Sequence, residues 1–152
     1  MHKTVVIKEK EYQERKHIRF EERTHKQQVE DINRMFLHND VIKEYRQEIQ
    51  KKVYGYAKQD ERKKRETHLQ YEHIIEKLVE SRLLCSYCKK KVYVLYKNAY
   101  DPNQWTLDRI NNTIGHTHDN CVISCYSCNK EKRVQTDMHF RQGKQFTFVK
   151  LE

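Results

Sequence analysis

Cys85-Ser-Tyr-Cys88 and Cys125-Tyr-Ser-Cys128 are two C-x2-C pairs, with residues 89 to 124 between them. No other feature constrains this chain as tightly. Each pair offers two thiolates from one tight turn, and two such turns complete a tetrahedron around Zn²⁺. Lys89, Lys90 and Lys91 follow the first pair and offset the negative charge of a four-thiolate centre. A redox dithiol or unlinked core cysteines are the alternatives. Structural zinc contributes roughly 10 kcal/mol or more to folding, which is how a segment with few aliphatic residues can fold. Cys121 stands at strand spacing from Ile123 and Cys125 and is expected in the core.

That contribution matters because the apolar content is thin. Of 152 residues, 36% are hydrophobic and 35% charged, with a net charge of +9 and a pI near 9.3. A basic protein most often meets polyanions, with nucleic acid first among them, and DNA is the expected partner. An ordinary solvated basic surface is the competing reading. No apolar run is long enough for a membrane span, and the first residues lack the apolar core and cleavage site of a secretory leader. Cytoplasm or nucleus is the expected compartment, with no secretion and no membrane partner, and in a reducing compartment the cysteines read as metal ligands before disulfides.

Composition divides the chain near Ser81. Residues 1–80 carry a net charge of +3, residues 81–152 a net of +6, and all five cysteines lie in the second part. The first part reads as a charged α-helical region. Val29, Ile32, Met35 and Phe36 recur at helical spacing, as do Val41, Ile42, Tyr45, Ile49 and Val53, then Tyr71, Ile74, Ile75, Leu78 and Leu83. Breaks are expected at His38–Asp40 and at Gly55, with Asn39 or Asp40 capping the helix that follows. Residues 8–28 have almost nothing to bury and read as a polar helix, a partner-binding arm or disorder. Val5-Val6-Ile7 reads as a short strand. Two roles suit the helices: a structural brace, which a homodimer would share, or a nucleic-acid arm in which Arg62-Lys63-Lys64-Arg65 touches phosphates.

The second part alternates strand and loop. Lys91 to Tyr96 is a candidate hairpin, Trp105 to Ile110 a strand, Asn111 to Asp119 a loop and Asn120 to Ser124 another strand. A helix is expected after Cys128, and Gln145 to Val149 reads as a final strand. Asp108 and Arg109 sit side by side inside the first of these strands. A carboxylate there is costly unless something uses it.

The run from Leu107 to Lys132, L-D-R-I-N through G-H-T-x-x-N-C-V-I-S-C-x-x-C-N-x-x-K, resembles HNH endonucleases of the ββα-metal (His-Me finger) superfamily, and within it the zinc-bearing branch that includes phage recombination and branch-resolving enzymes. The resemblance spans about residues 83 to 135. It implies an α+β chain: an N-terminal α-helical region over 1–80, then a small zinc-stapled ββα-metal domain over 81–152. It implies DNA phosphodiester hydrolysis, and a phage or virus as a candidate source. Cys85, Cys88, Cys125 and Cys128 would hold structural Zn²⁺. Asp108 and Asn129 would hold a catalytic Mg²⁺ or Mn²⁺, Asn120 would pin the loop between the strands, and Lys130, Lys132 and Arg133 would meet DNA. The chemistry stands independently, because cleavage needs charge neutralised at the phosphorus, and Mg²⁺ prefers a few hard oxygen donors.

One position departs from that pattern. The usual general base is a His directly after the Asp, and here it is Arg109. A guanidinium cannot accept a proton near neutral pH, although it can fork onto a phosphate and stabilise the transition state. His116 and His118 become candidate bases, the second with Asp119 beside it. His116 is equally a candidate substrate contact. Tyr93 and Tyr96 are further options, and His139 reads as structural. The alternative function is a zinc module that binds nucleic acid without cutting it.

Overall fold

A capping box starts the first helix. Thr24 Oγ1 accepts from Gln27 N at 3.2 Å, and Gln27 Oε1 accepts from Thr24 N at 3.0 Å. In this computed structural model, which describes residues 12 to 149 except 17, 19, 133 and 134, α1 runs from His25 to His38. It ends at Asn39, whose left-handed φ of 54° closes the last turn. Asn39 therefore terminates α1 and does not start the next helix. Helix α2, Lys43–Arg62, begins after Ile42 without a side-chain cap and passes straight through Gly55, where a break was expected. Burial of Tyr45 and Ile49 on the inner face outweighs the glycine, which costs only about 1 kcal/mol in a helix interior. Helix α3, Tyr71–Ser81, buries Ile74, Ile75 and Leu78.

The described residues of 12–24 form neither a helix nor a free arm; they are pinned to the second half: Arg15 N donates to Lys97 O at 2.8 Å and Ala99 N to Gln13 O at 2.9 Å. The Arg15 guanidinium caps Tyr96 O at 3.1 Å, pairs with Glu48 at 2.7 Å and lies over the Tyr96 ring. Backbone pairing thus supplies what the missing apolar side chains cannot. The expected strand at Val5-Val6-Ile7 lies outside the described residues.

Strands β1, Trp105–Arg109, and β2, Cys121–Cys125, form a two-stranded antiparallel sheet in which Asp108 faces Val122. A short helix, α4, covers Tyr126–Lys132 and packs on both strands. Residues 91–96 make isolated bridges, Lys91 with Leu84 and Tyr93 with Gln104, in place of the expected hairpin. Their loop is held by buried Gln28 of α1, whose Oε1 accepts from Val94 N at 2.9 Å and Leu95 N at 3.0 Å. The tail is helical: α5 spans Asp137–Val149, so Gln145 to Val149 forms no strand. The fold is α+β. One buried cluster draws from both halves of the chain, from Ile32, Tyr45, Ile49 and Leu78 to Val92, Trp105, Leu107 and Ile123. No helix among the described residues is long and apolar enough to cross a membrane.

Candidate metal centre and cleft

The four sulfurs of Cys85, Cys88, Cys125 and Cys128 lie within 4.8 Å of one another. Zn–S bonds of about 2.3 Å at tetrahedral angles put neighbouring sulfurs about 3.8 Å apart, and Cys88 Sγ is 3.8 Å from Cys125 Sγ. Backbone amides point at the sulfurs: Tyr87 N donates to Cys85 at 3.4 Å and Cys128 N to Cys125 at 3.3 Å. The left-handed φ of 62° at Lys89 turns the first pair back on itself. Crowding splits the thiols. Hydrogen bonds from Cys125 and Cys128 hold Cys85 far below the ordinary thiol range, and the bonds of Cys128 to Cys125 and Cys85 push it far above. A divalent cation removes that conflict, because it allows every sulfur to ionise. The donor set fits a metal ion such as zinc. Cys121 is buried away from the cluster, as its spacing predicts.

Asp108 lies on β1 and is buried. Tyr87 Oη donates to its Oδ2, and Lys132 Nζ stands 2.8 Å from the same oxygen. Lys132 was expected to face phosphate. It is instead fully buried, at 0% exposure, and also donates to Arg109 O at 2.6 Å. The reason is helical phase: α4 turns Cys128 toward the sulfurs, and four residues later the same face meets the sheet. Tyr87 also touches Asp137 Oδ1 at 2.8 Å, so one phenolic proton serves two carboxylates. Burial first, then Asp108, pushes that phenol far above its usual range. Asp108 Oδ1 has no partner among the described residues. Asn129, three residues before Lys132, is half-buried and its amide makes no hydrogen bond among the described residues.

Asn120 pins the loop between the strands as expected. Its Oδ1 accepts from Asn111 N at 2.9 Å, and its Nδ2 donates to Asn111 O and Gly115 O, each at 3.0 Å. Gly115 must be glycine, because a Cβ there would collide with the Glu66 carbonyl. Arg109 laces the same loop, with Nη1 donating to Asn112 O at 2.8 Å and Ile114 O at 3.2 Å. Burial, ahead of nearby Arg65, lowers its pKa.

The candidate bases separate clearly. His116 is buried, stacks on Tyr56 at 4.3 Å and meets both oxygens of Asp60 through Nδ1 at 3.1 Å. Its backbone N donates to Asp60 Oδ2 at 2.7 Å. Burial lowers its pKa despite Asp60, which favours the neutral ring. An Nδ1–H donated to Asp60 leaves the lone pair on Nε2. His118 instead packs on His73 at 4.5 Å, with Nδ1 buried and unpartnered, and makes no bond to Asp119. Tyr96 is no activated phenol: burial pushes it up to about 12. Tyr93 packs edge-on against His25, and His139 is exposed.

Sequence reasoning missed Asp60 and the helix that carries it. Lys52, Tyr56 and Asp60 recur every four residues along one face of α2. Lys52 Nζ donates to the Trp105 carbonyl, Tyr56 Oη accepts from Leu107 N at 3.0 Å, and Asp60 takes the loop at His116. Four helical residues rise about 6 Å and two strand residues about 6.8 Å, so the stripe keeps step with alternate residues of β1. It covers the edge of β1 that β2 leaves unpaired. The spacing was visible, but in a segment so charged it was indistinguishable from a solvated face.

Between α2 and α4 lies a cleft of about 500 Å³. Lys51, Lys52 and Arg62 line one side, and Thr106, Asn129 and Lys130 the other, with no carboxylate in the lining. Lys130 is exposed there, where a nucleic-acid contact was expected. Arg133, the other such candidate, lies outside the described residues.

The chain is similar to uncharacterized protein R423 of Acanthamoeba polyphaga mimivirus, with 47% identity over 57 residues. That stretch covers 38% of this chain and 9% of the mimivirus protein. No family model matches the chain. No solved structure matches it.

Proposed function

We propose that the protein is a metal-dependent DNA endonuclease of the HNH type, hydrolysing phosphodiester bonds in duplex or branched DNA. One observation carries this reading: a strand, a loop pinned by Asn120, a second strand and a helix stand together on a four-cysteine centre, with a buried carboxylate on the first strand against that helix. Asp108 and Asn129 would hold Mg²⁺ or Mn²⁺ through one carboxylate and one amide oxygen, and the bound ion would neutralise charge at the scissile phosphate. Cys85, Cys88, Cys125 and Cys128 would hold Zn²⁺ in a structural role.

The chain's own residues then divide the work. Lys132 holds the Asp108 carboxylate in place. Arg109 stiffens the loop and keeps Nε and Nη2 for a phosphate oxygen. His116 is the best-supported proton acceptor, because Asp60 fixes the tautomer a base requires. A second reading, a zinc module that binds nucleic acid without cutting it, is favoured by one observation: protein donors already engage Asp108 Oδ2.

Plasmid nicking in Mg²⁺ or Mn²⁺ tests the pair, with wild type beside Asp108→Asn. Nicking by wild type that the variant loses supports the nuclease. Inactivity of both, with DNA binding intact, supports the module and sinks the nuclease.

A further inference from the structure

The cleft between α2 and α4 has a property that packing within the chain leaves unexplained. Gly55 stands in the interior of α2 and borders the cleft, and a Cβ built there would meet nothing within 4 Å. Glycine weakens a helix interior relative to alanine. No turn, positive φ or neighbouring chain requires it here. What glycine does supply is bare helix backbone at the cleft wall. That is useful if something outside the chain comes close.

The charges say what would come. Lys51 and Arg62 flank Gly55 on the same helix, both exposed, and Lys130 faces them from α4. None of the three pairs with a carboxylate among the described residues. Lys52, deeper in the cleft, donates to Trp105 O beside the Tyr96 and Trp105 rings. The nearby Glu48 carboxylate is taken by Arg15. A surface whose polar groups are cations, amides and hydroxyls, with no carboxylate among them, suits a polyanion backbone. The volume of about 500 Å³ suits a nucleotide or two of one strand and is too small to enclose a duplex.

We infer that this cleft seats the sugar-phosphate backbone of one nucleic-acid strand, with α2 as a phosphate-binding wall that leads the strand toward Asn129. The inference rests on the nuclease reading for the class of polymer, and it gives the N-terminal helices a substrate role. Burial also lowers the Lys52 ammonium toward neutrality, and an arriving phosphate restores its charge.

The test is binding of a short fluorescein-labelled oligodeoxynucleotide to full-length protein, without added Mg²⁺ or Mn²⁺, across a range of NaCl. Lys51→Gln with Arg62→Gln should weaken binding about tenfold and flatten the salt dependence by about 0.7 in log–log slope per lost contact. Gly55→Leu should keep or raise the melting temperature while weakening binding. Lys26→Gln, on the exposed face of α1 and outside the cleft, should change nothing. Unchanged affinity and slope in both the double variant and Gly55→Leu overturns the inference, as does absence of binding by wild type. Plasmid nicking separates the two ideas. Cleft-dependent binding without nicking sinks the nuclease alone, whereas nicking with unaltered affinity in the variants sinks the cleft alone.

Discussion

The cysteine centre and the seam between α2 and β1 hold the same small sheet by opposite means. In the centre, four identical ligands arrive on two tight turns, and each turn is local in sequence. In the seam, Lys52, Tyr56 and Asp60 each do something different, to partners 50 or more positions away. A metal centre draws its strength from one shared ion. The seam draws its strength from separate polar contacts, each worth about 1 kcal/mol made and more if left broken. The comparison predicts one failure that is global and several that are graded.

Metal removal should have the largest effect. A strong chelator, or Cys125→Ser, should abolish the cooperative thermal transition of the whole chain, because the binding energy of about 10 kcal/mol or more is as large as a typical domain's whole stability. Circular dichroism checks it. Helices that still melt cooperatively after metal loss would separate the two regions and break the idea of a shared core.

Lys132→Met comes next. It leaves Asp108 buried with only Tyr87, and a lone buried charge costs about 3–5 kcal/mol. Chemical denaturation should show that loss, and the added change Asp108→Asn should recover much of it. Without recovery, the pair is not what Lys132 contributes.

Asp60→Ala should cost about 2–4 kcal/mol, since the His116 amide and ring both lose their acceptor. The same denaturation measurement ranks it against Lys132→Met. Hydrogen exchange should show the loop at 111–117 opening while the cysteine turns stay protected.

The last effect is a pH slope, small per pH unit. Burial pushes the Lys52 ammonium down to about 7, whereas the unfolded chain keeps that proton to about 10.4. Between those values the unfolded state binds more protons, so Lys52 makes stability rise with pH, by at most about 1.4 kcal/mol per unit. Below pH 7 both states are protonated and the slope from this group vanishes. Wild type minus Lys52→Met should climb across that window. A flat difference would mean the amine keeps its ordinary pKa.

Much of the second half was legible before any coordinates. Cysteine spacing located the centre, alternation found β1 and β2, and Asn120 pins its loop as expected. The helices of the first half were legible as periodicities, yet their ends were not. Asn39 closes α1 where it was expected to open α2, and Gly55 fails to interrupt α2. A cap residue reads the same from either side, and one glycine is outweighed by a buried face. Lys132 shows the same limit at a site residue, because a lysine on a basic helix reads as exposed until the partner carboxylate is in place.

The amino-acid sequence by itself determined where four thiols gather, that helices fill the first half and two strands lie between the cysteine pairs, and that the chain is basic. Those properties depend on near neighbours and on residue type. Only the tertiary structure decided that Asp60 holds His116, that Lys132 neutralises Asp108, and that α2 closes one side of a cationic cleft. Each of these joins groups far apart along the chain, and burial sets its strength, so neither the partner nor the energy exists until the core has formed.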